Sequence, residues 1–380
     1  MKMMRLWLVA GVLLLAACGG GSNNGGGTGG TPSPNVSPTD MQTSVKNYQT
    51  SSQTDINQAG TKLGKLFNGF PSGILNVNGL TQSLGALAMG QSKDQVLGGL
   101  KAFSKVFAQS ASSLPRGIYD CTSGTCPSTP APSSNLVVKW IPQSNTVTPA
   151  TLTVNWISTV QAHSPSDSTA ANTQEVPTQA EATLVYGSTT VMDLTLNVAW
   201  HASSCASGDY LLDVPDSLKI TGYIHDASGV PILDLRDLEF SVSNTTIATK
   251  GDFTITGDSG SVSSSWNINI NGTLTRDSTL CGALKSFNGT SVDFDFKTSS
   301  GSDSAELKFS ASGFDTNPPT IQITGGYLNL SGKVVTFQGT LDDTTACPPG
   351  QHVILSFSGG QTETLQQFLT ANGSKPCVKK

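Results

Sequence analysis

Charge is scarce in this chain of 380 residues: Asp, Glu, Lys and Arg make up only 12% of it, and the formal net charge is −5. It has no basic stripe and no arginine-rich helix, so a nucleic-acid partner would lack the phosphate-neutralising surface it depends on. Histidine is scarcer still, with four in all, His163, His201, His225 and His352. That number limits any histidine-based catalytic or metal site. Past residue 17 no apolar run approaches the roughly 20 residues of a membrane-spanning helix. The chain is instead rich in Ser, Thr and Asn with 40 glycines, the make-up of a β protein that meets water through hydroxyls and amides.

At the N-terminus, Lys2 and Arg5 precede an apolar run from Leu6 to Leu15. About ten residues cannot cross a bilayer, but they suit the h-region of an export signal. The run continues as LLLAACGGGS, residues 13–22. Within it, Leu15-Ala16-Ala17-Cys18 resembles the lipobox of bacterial lipoproteins. The resemblance covers the first 18 residues and carries nothing over to the rest of the chain. It implies that 1–17 is a cleaved signal peptide and that Cys18 bears a diacylglycerol on its thiol and a further acyl chain, such as palmitate, on its amine. Two or more such chains anchor a protein stably, so the membrane would be held through covalent lipid alone. By the sorting rule of that family, Gly19 in place of Asp implies the outer membrane. Losing Lys2 and Arg5 with the signal would take the charge from −5 to −7.

Cysteine parity points the same way. Setting Cys18 aside leaves Cys121, Cys126, Cys205, Cys281, Cys347 and Cys377, an even set that reads as disulfides in an oxidising compartment. Within CTSGTC (121–126), Ser123-Gly124 can turn the chain and bring both cysteines together. Cys205 with Cys281 and Cys347 with Cys377 complete the expected set, although six cysteines admit about 15 pairings. No second Cys or His pair at zinc spacing accompanies CTSGTC, so no metal is expected there.

Residues 18–39 read as the lipidated cysteine and a Gly- and then Pro-rich tether, spanning about 25 Å as a coil. Helical spacing follows over 40–113. Val45, Tyr48, Ile56, Leu63, Leu66 and Phe67 share one face, and Gly69 and Pro71 end it. A weaker segment covers Leu80 to Met89, and a third opens with Ser92 and Gln95 as a capping box ahead of Val96, Leu100, Phe103 and Phe107. A Cys-hairpin and Pro-rich loop occupies 114–135. From 136 to 380 the period becomes two: Met192, Leu194, Leu196 and Val198 alternate with polar residues, as do Phe294 and Phe296 with Asp293, Asp295 and Lys297. The fold class is therefore mainly β with an N-terminal helical segment. About a dozen antiparallel strands are expected in a long curved sheet or half-barrel packed on the helices, with tandem β-sandwiches as the alternative.

Three cysteines end similar segments, NVAWHASSC, GTLTRDSTLC and GTLDDTTAC, an echo compatible with a repeated β-unit. TGDSGSV (256–262) contains the G-D-S-G of trypsin-like nucleophile loops, but no histidine lies in the family's setting and Ser261 replaces a glycine, so Ser259 reads as part of a hairpin turn. His225-Asp226 likewise reads as a turn. Asp342-Asp343 and the group Asp234, Asp237 and Glu239 match no ordered calcium loop. The Asn-x-Ser/Thr triplets at Asn244, Asn271 and Asn288 carry no chemistry of their own, and Tyr186, Tyr223 and Tyr327 are expected as exposed edge aromatics. With no catalytic set, no metal and no cofactor, the chain reads as a non-enzymatic, lipid-anchored envelope protein with a binding, carrier or assembly role toward a lipid or an envelope protein. A surface or adhesin-like module and, less favoured, an extracytoplasmic hydrolase are the alternatives.

Overall fold

Period-two alternation becomes one continuous sheet. The structure is a computed structural model describing residues 36–71, 116–142, 148–313, 320–342 and 350–371, without the side chains of 45–51 and 53. The first strands are β1 (Gly117–Asp120), β2 (Leu136–Trp140), β3 (Ala150–His163), β4 (Gln174–Tyr186), β5 (Thr189–Ala199), β6 (Tyr210–Leu211), β7 (Ser217–His225) and β8 (Pro231–Val242). They continue as β9 (Thr246–Thr256), β10 (Ser261–Asp277), β11 (Ala283–Ser300), β12 (Asp303–Ser312), β13 (Ile321–Leu330), β14 (Lys333–Leu341), β15 (Val353–Ser356) and β16 (Thr362–Thr364). Helix α1 spans Pro38–Leu66 and α2 spans Leu365–Ala371.

From β2 onward each strand pairs antiparallel with the next, except that β5 passes directly to β7 while β6 pairs parallel with β3. β1 is parallel to β2. All sixteen strands belong to a single sheet that does not close on itself, so the tandem-sandwich alternative is ruled out. The dozen strands expected become sixteen because β1, β6 and β16 have four, two and three residues, too short to leave a periodic record. The body also does not run in strands to its end, since α2 follows β16.

The sheet curves because its ladders are interrupted. Register shifts fall near Trp156, Gly222, Leu235, Gly272, Lys308 and Gly326, and each bulge bends its strand and adds twist. Two glycines let aromatic rings fold over the opposite strand. A Cβ at Gly251 would collide with Trp266, and one at Gly326 with Phe337, its cross-strand partner in each case.

Among the described residues the inner face is packed with side chains. Phe294 stacks on Phe309 with centroids 5.0 Å apart, Phe309 meets Phe337 at 6.1 Å, and Phe253 meets Trp266 edge-on at 5.8 Å. The expected alternation holds in β11, where Phe294 and Phe296 are buried and Asp293, Asp295 and Lys297 are not. The outer face carries ion pairs between neighbouring strands: Lys219 with Glu239, Lys250 with Asp237, Arg236 with Asp252, Lys297 with Glu306 and Lys308 with Asp295. Exposed pairs of this kind add little stability. They do mark the face as one that meets water, because charges on a lipid-facing strand cost several kcal/mol, roughly 2–4 each at mid-depth.

Both sheet edges are blunted. On one, Ala131 pairs with Ile118 across the free side of β1. On the other, three-residue β16 runs straight into α2.

Helix α1 starts at Ser37, whose side chain and that of Asp40 form a reciprocal capping box with Pro38 in the first turn. Met41, Ile56, Ala59, Leu63, Leu66 and Phe67 of this segment are buried. Val45 and Tyr48 fall outside the described side chains, and the expected helices over 80–111 fall outside the described residues, as do residues 1–35, Cys347 and Cys377.

Candidate functional site

An up-and-down sheet places alternate turns on opposite rims. The turns after β2, β4, β7, β9, β11, β13 and β15 share one rim, the near rim, and α1 runs along it from end to end. At its start, Val36 is held by the Ser358 hydroxyl after β15, which accepts from the Val36 N–H at 2.5 Å and donates to its carbonyl at 2.8 Å. Lys333 at the start of β14 donates to Ser44 at 3.0 Å. Farther along, the turn between β9 and β10 docks on Gln58, whose carboxamide oxygen accepts from the Asp258 N–H at 2.7 Å. At the far end of the helix, Tyr186 of β4 donates its hydroxyl to the Leu66 carbonyl, and Phe70 meets Trp140 of β2 edge-on at 4.8 Å. A helix of 29 residues is long enough for this, at roughly 1.5 Å per residue.

Between the last turns of α1 and two of these hairpin turns lies a cleft of about 390 Å³. Lys62 and Lys65 stand on the helix wall, Asp226 and Asp258 on the turn wall, and Leu66 and Tyr186 add apolar surface. Lys62 is largely buried, and its ammonium donates to the Gly257 carbonyl at 3.1 Å and pairs with Asp258 at 2.8 Å. Lys65 has no ion-pair partner among the described residues. Asp226 uses one carboxylate oxygen to accept from the Ser228 and Val230 N–H groups. Burial pushes the Tyr186 phenol up to about 12, so it stays a neutral donor at any physiological pH. Beside the cleft, Asp55 of α1 is 5% exposed. Burial raises its carboxyl above the ordinary range, against the opposing bonds from the Gly260 N–H and the Ser300 hydroxyl.

On the opposite, far rim the chain between β5 and β7 arches across to β3, β10 and β11. Its clasp is the Cys205–Cys281 disulfide; Cys121–Cys126 is also joined. Leu284 N–H donates to Asp213 at 2.8 Å, and Arg276 pairs with Asp216 at 2.9 Å. Asp216 also accepts from His201 Nδ1 at 3.0 Å. Among the described residues no serine is hydrogen-bonded to the Nε2 of His201. A Ser–His pair does exist here, with Ser203 Oγ 2.9 Å from His163 Nε2, and no motif in the sequence signals it. Its geometry is that of a keystone. Ser203 Oγ already accepts from the Cys205 and Ala206 N–H groups, His163 Nδ1 bonds the Ser164 carbonyl, and the imidazole is wholly buried.

The other sequence candidates resolve individually. Ser259 lies in the β9–β10 turn, where Gln58 Nε2 donates to its hydroxyl at 3.3 Å; no histidine is its partner. Asp226 closes the turn beside His225, whose ring stacks on Tyr223. Asp234, Asp237 and Glu239 are taken up by Arg236, Lys250 and Lys219, and Asp342 by His352 at 2.8 Å; Asp343 lies outside the described residues. Among the described residues no cluster of three metal-ligating side chains occurs. Asn244 sits in the β8–β9 turn, Asn271 bonds Ser291, and Asn288 lies in β11. Tyr327 donates to Glu306 at 2.7 Å. Tyr186, expected at an exposed edge, is buried because it is the stop against which α1 ends. The echoing segments at Cys205 and Cys281 leave β5 and β10 on the same rim, where their cysteines meet.

The cleft escaped the sequence because its walls come from residues nearly 200 positions apart. Comparison with family models, with curated proteins and with solved structures finds no match for this chain.

Proposed function

We propose that this chain is a lipid-anchored protein of the bacterial cell envelope, fastened through Cys18 in the outer membrane, with a non-enzymatic binding or assembly role. The observation that carries the proposal is the cysteine pairing. Cys121–Cys126 and Cys205–Cys281 stand at bonding distance, which suits an oxidising compartment, and Cys18 directly follows an apolar run that suits an export signal. The filled inner face favours binding at the surface over carriage in a cavity. An acyl chain would need apolar walls open to it, whereas Phe253, Phe294, Phe309 and Leu307 are each at most 3% exposed. The wholly buried imidazole of His163 and the outer carboxylates paired with neighbouring cations weigh against hydrolysis.

The test is metabolic labelling of cells making the full chain with radiolabelled palmitate. Label is expected in the wild type, in the outer-membrane fraction, and is expected to vanish in Cys18→Ser. A mature chain that is free of acyl groups, starts elsewhere, or holds its other cysteines as thiols overturns the proposal.

A further inference from the structure

We infer that the near-rim cleft is a recognition site for a small zwitterion of the size of a dipeptide, its carboxylate held at Lys62 and Lys65 and its ammonium at Asp226 and Asp258. This rests on the binding role proposed above and names its ligand class.

The charges sit on separate walls, cations on α1 and anions on the hairpin turns. Lys62 and Lys65 are three residues apart on one helix, which makes them neighbours on its surface. An ammonium has three N–H donors; Lys62 commits two, to Gly257 and Asp258, and keeps one. Lys65, with no ion-pair partner among the described residues, keeps its whole charge for an incoming carboxylate. On the turn wall, the Asp226 oxygen Oδ1 is occupied by backbone N–H groups, which fixes the carboxylate in place while its second oxygen has no hydrogen-bond partner among the described residues. The net charge left over is one cation and one anion. That balance disfavours a dianion or a dication and suits a molecule carrying both signs. The space, about 390 Å³, lies near the lower end of small-molecule sites.

Isothermal titration of the full mature protein in detergent with Ala-Ala, N-acetyl-Ala-Ala, Ala-Ala amide and the doubly blocked dipeptide tests the inference. The zwitterion is expected to bind with a Kd on the order of 1 mM, each singly blocked form about tenfold more weakly, and the doubly blocked form not measurably. Lys65→Gln is expected to weaken Ala-Ala about tenfold while leaving Ala-Ala amide unchanged. Asp226→Asn, which retains the turn's acceptor, is expected to do the converse with N-acetyl-Ala-Ala. Both positions are at the surface, and unchanged circular dichroism confirms folding. Equal binding of all four peptides, no binding of any, or indifference to both substitutions overturns the inference. Palmitate labelling is unaffected by that result, so a failed cleft and a failed anchor are told apart.

Discussion

The two rims of the sheet are closed by opposite means. On the near rim α1 lays buried Met41, Ile56, Ala59, Leu63 and Leu66 onto the main core and fastens itself turn by turn with hydrogen bonds. On the far rim the arch after β5 has only a satellite cluster, Leu211, Cys281 and Ala283, and a covalent clasp completes it. The difference teaches where a disulfide is needed. A long amphipathic element supplies its own hydrophobic stabilisation, whereas a polar loop of similar span cannot bury enough apolar surface to hold its place.

The sharpest break of that comparison is removal of the clasp. Cys205→Ser with Cys281→Ser opens a loop with a sequence separation of 76, for which chain entropy gives about 4.5 kcal/mol. Removing Cys121–Cys126, with a separation of 5, is expected to cost only about 2 kcal/mol. Urea midpoints measure both, and equal losses would show that the far rim does not depend on its bond. On the near rim Leu63→Ala is expected to cost about 3 kcal/mol by leaving a cavity under α1, read by the same titration; a loss under about 1 kcal/mol would mean that the helix is not part of the core.

Smaller effects refine the picture. Tyr186→Phe leaves the Leu66 carbonyl without its donor and is expected to cost about 1–2 kcal/mol, seen as a lowered Tm. Asp55→Asn acts through pH. The folded carboxyl titrates above its ordinary value, so the contribution of this one group to stability is greatest below about pH 4 and declines as pH rises toward the raised value. The substitution is expected to flatten that slope and leave the protein more stable than the wild type at neutral pH. An unchanged stability–pH profile would remove Asp55 from the account.

Much of the sheet was legible because alternation is a local property. Phe294 and Phe296 face inward for the reason visible in DFDFK, and CTSGTC closes on itself because its glycine can turn. The parallel β1–β2 pair was not legible, since four residues carry no period. The start of α1 was legible but missed: Ser37-Pro38-Thr39-Asp40 has both the cap and the N1 proline. The rims were out of reach for another reason. Which turns share a rim follows only once every strand is counted, and one missed strand exchanges the two sides. Lys62 and Asp258 become neighbours through that count alone.

The Ser358 contact with Val36 has a mechanical consequence. A pull applied through the chain at Val36 is borne by a single residue, gripped at both its N–H and its carbonyl, on the corner where α1 meets the last strands. Pulling there peels the helix from the rim one turn after another instead of shearing all its contacts together. The body would therefore yield at that corner under modest tension, while the disulfide-clasped rim kept its shape.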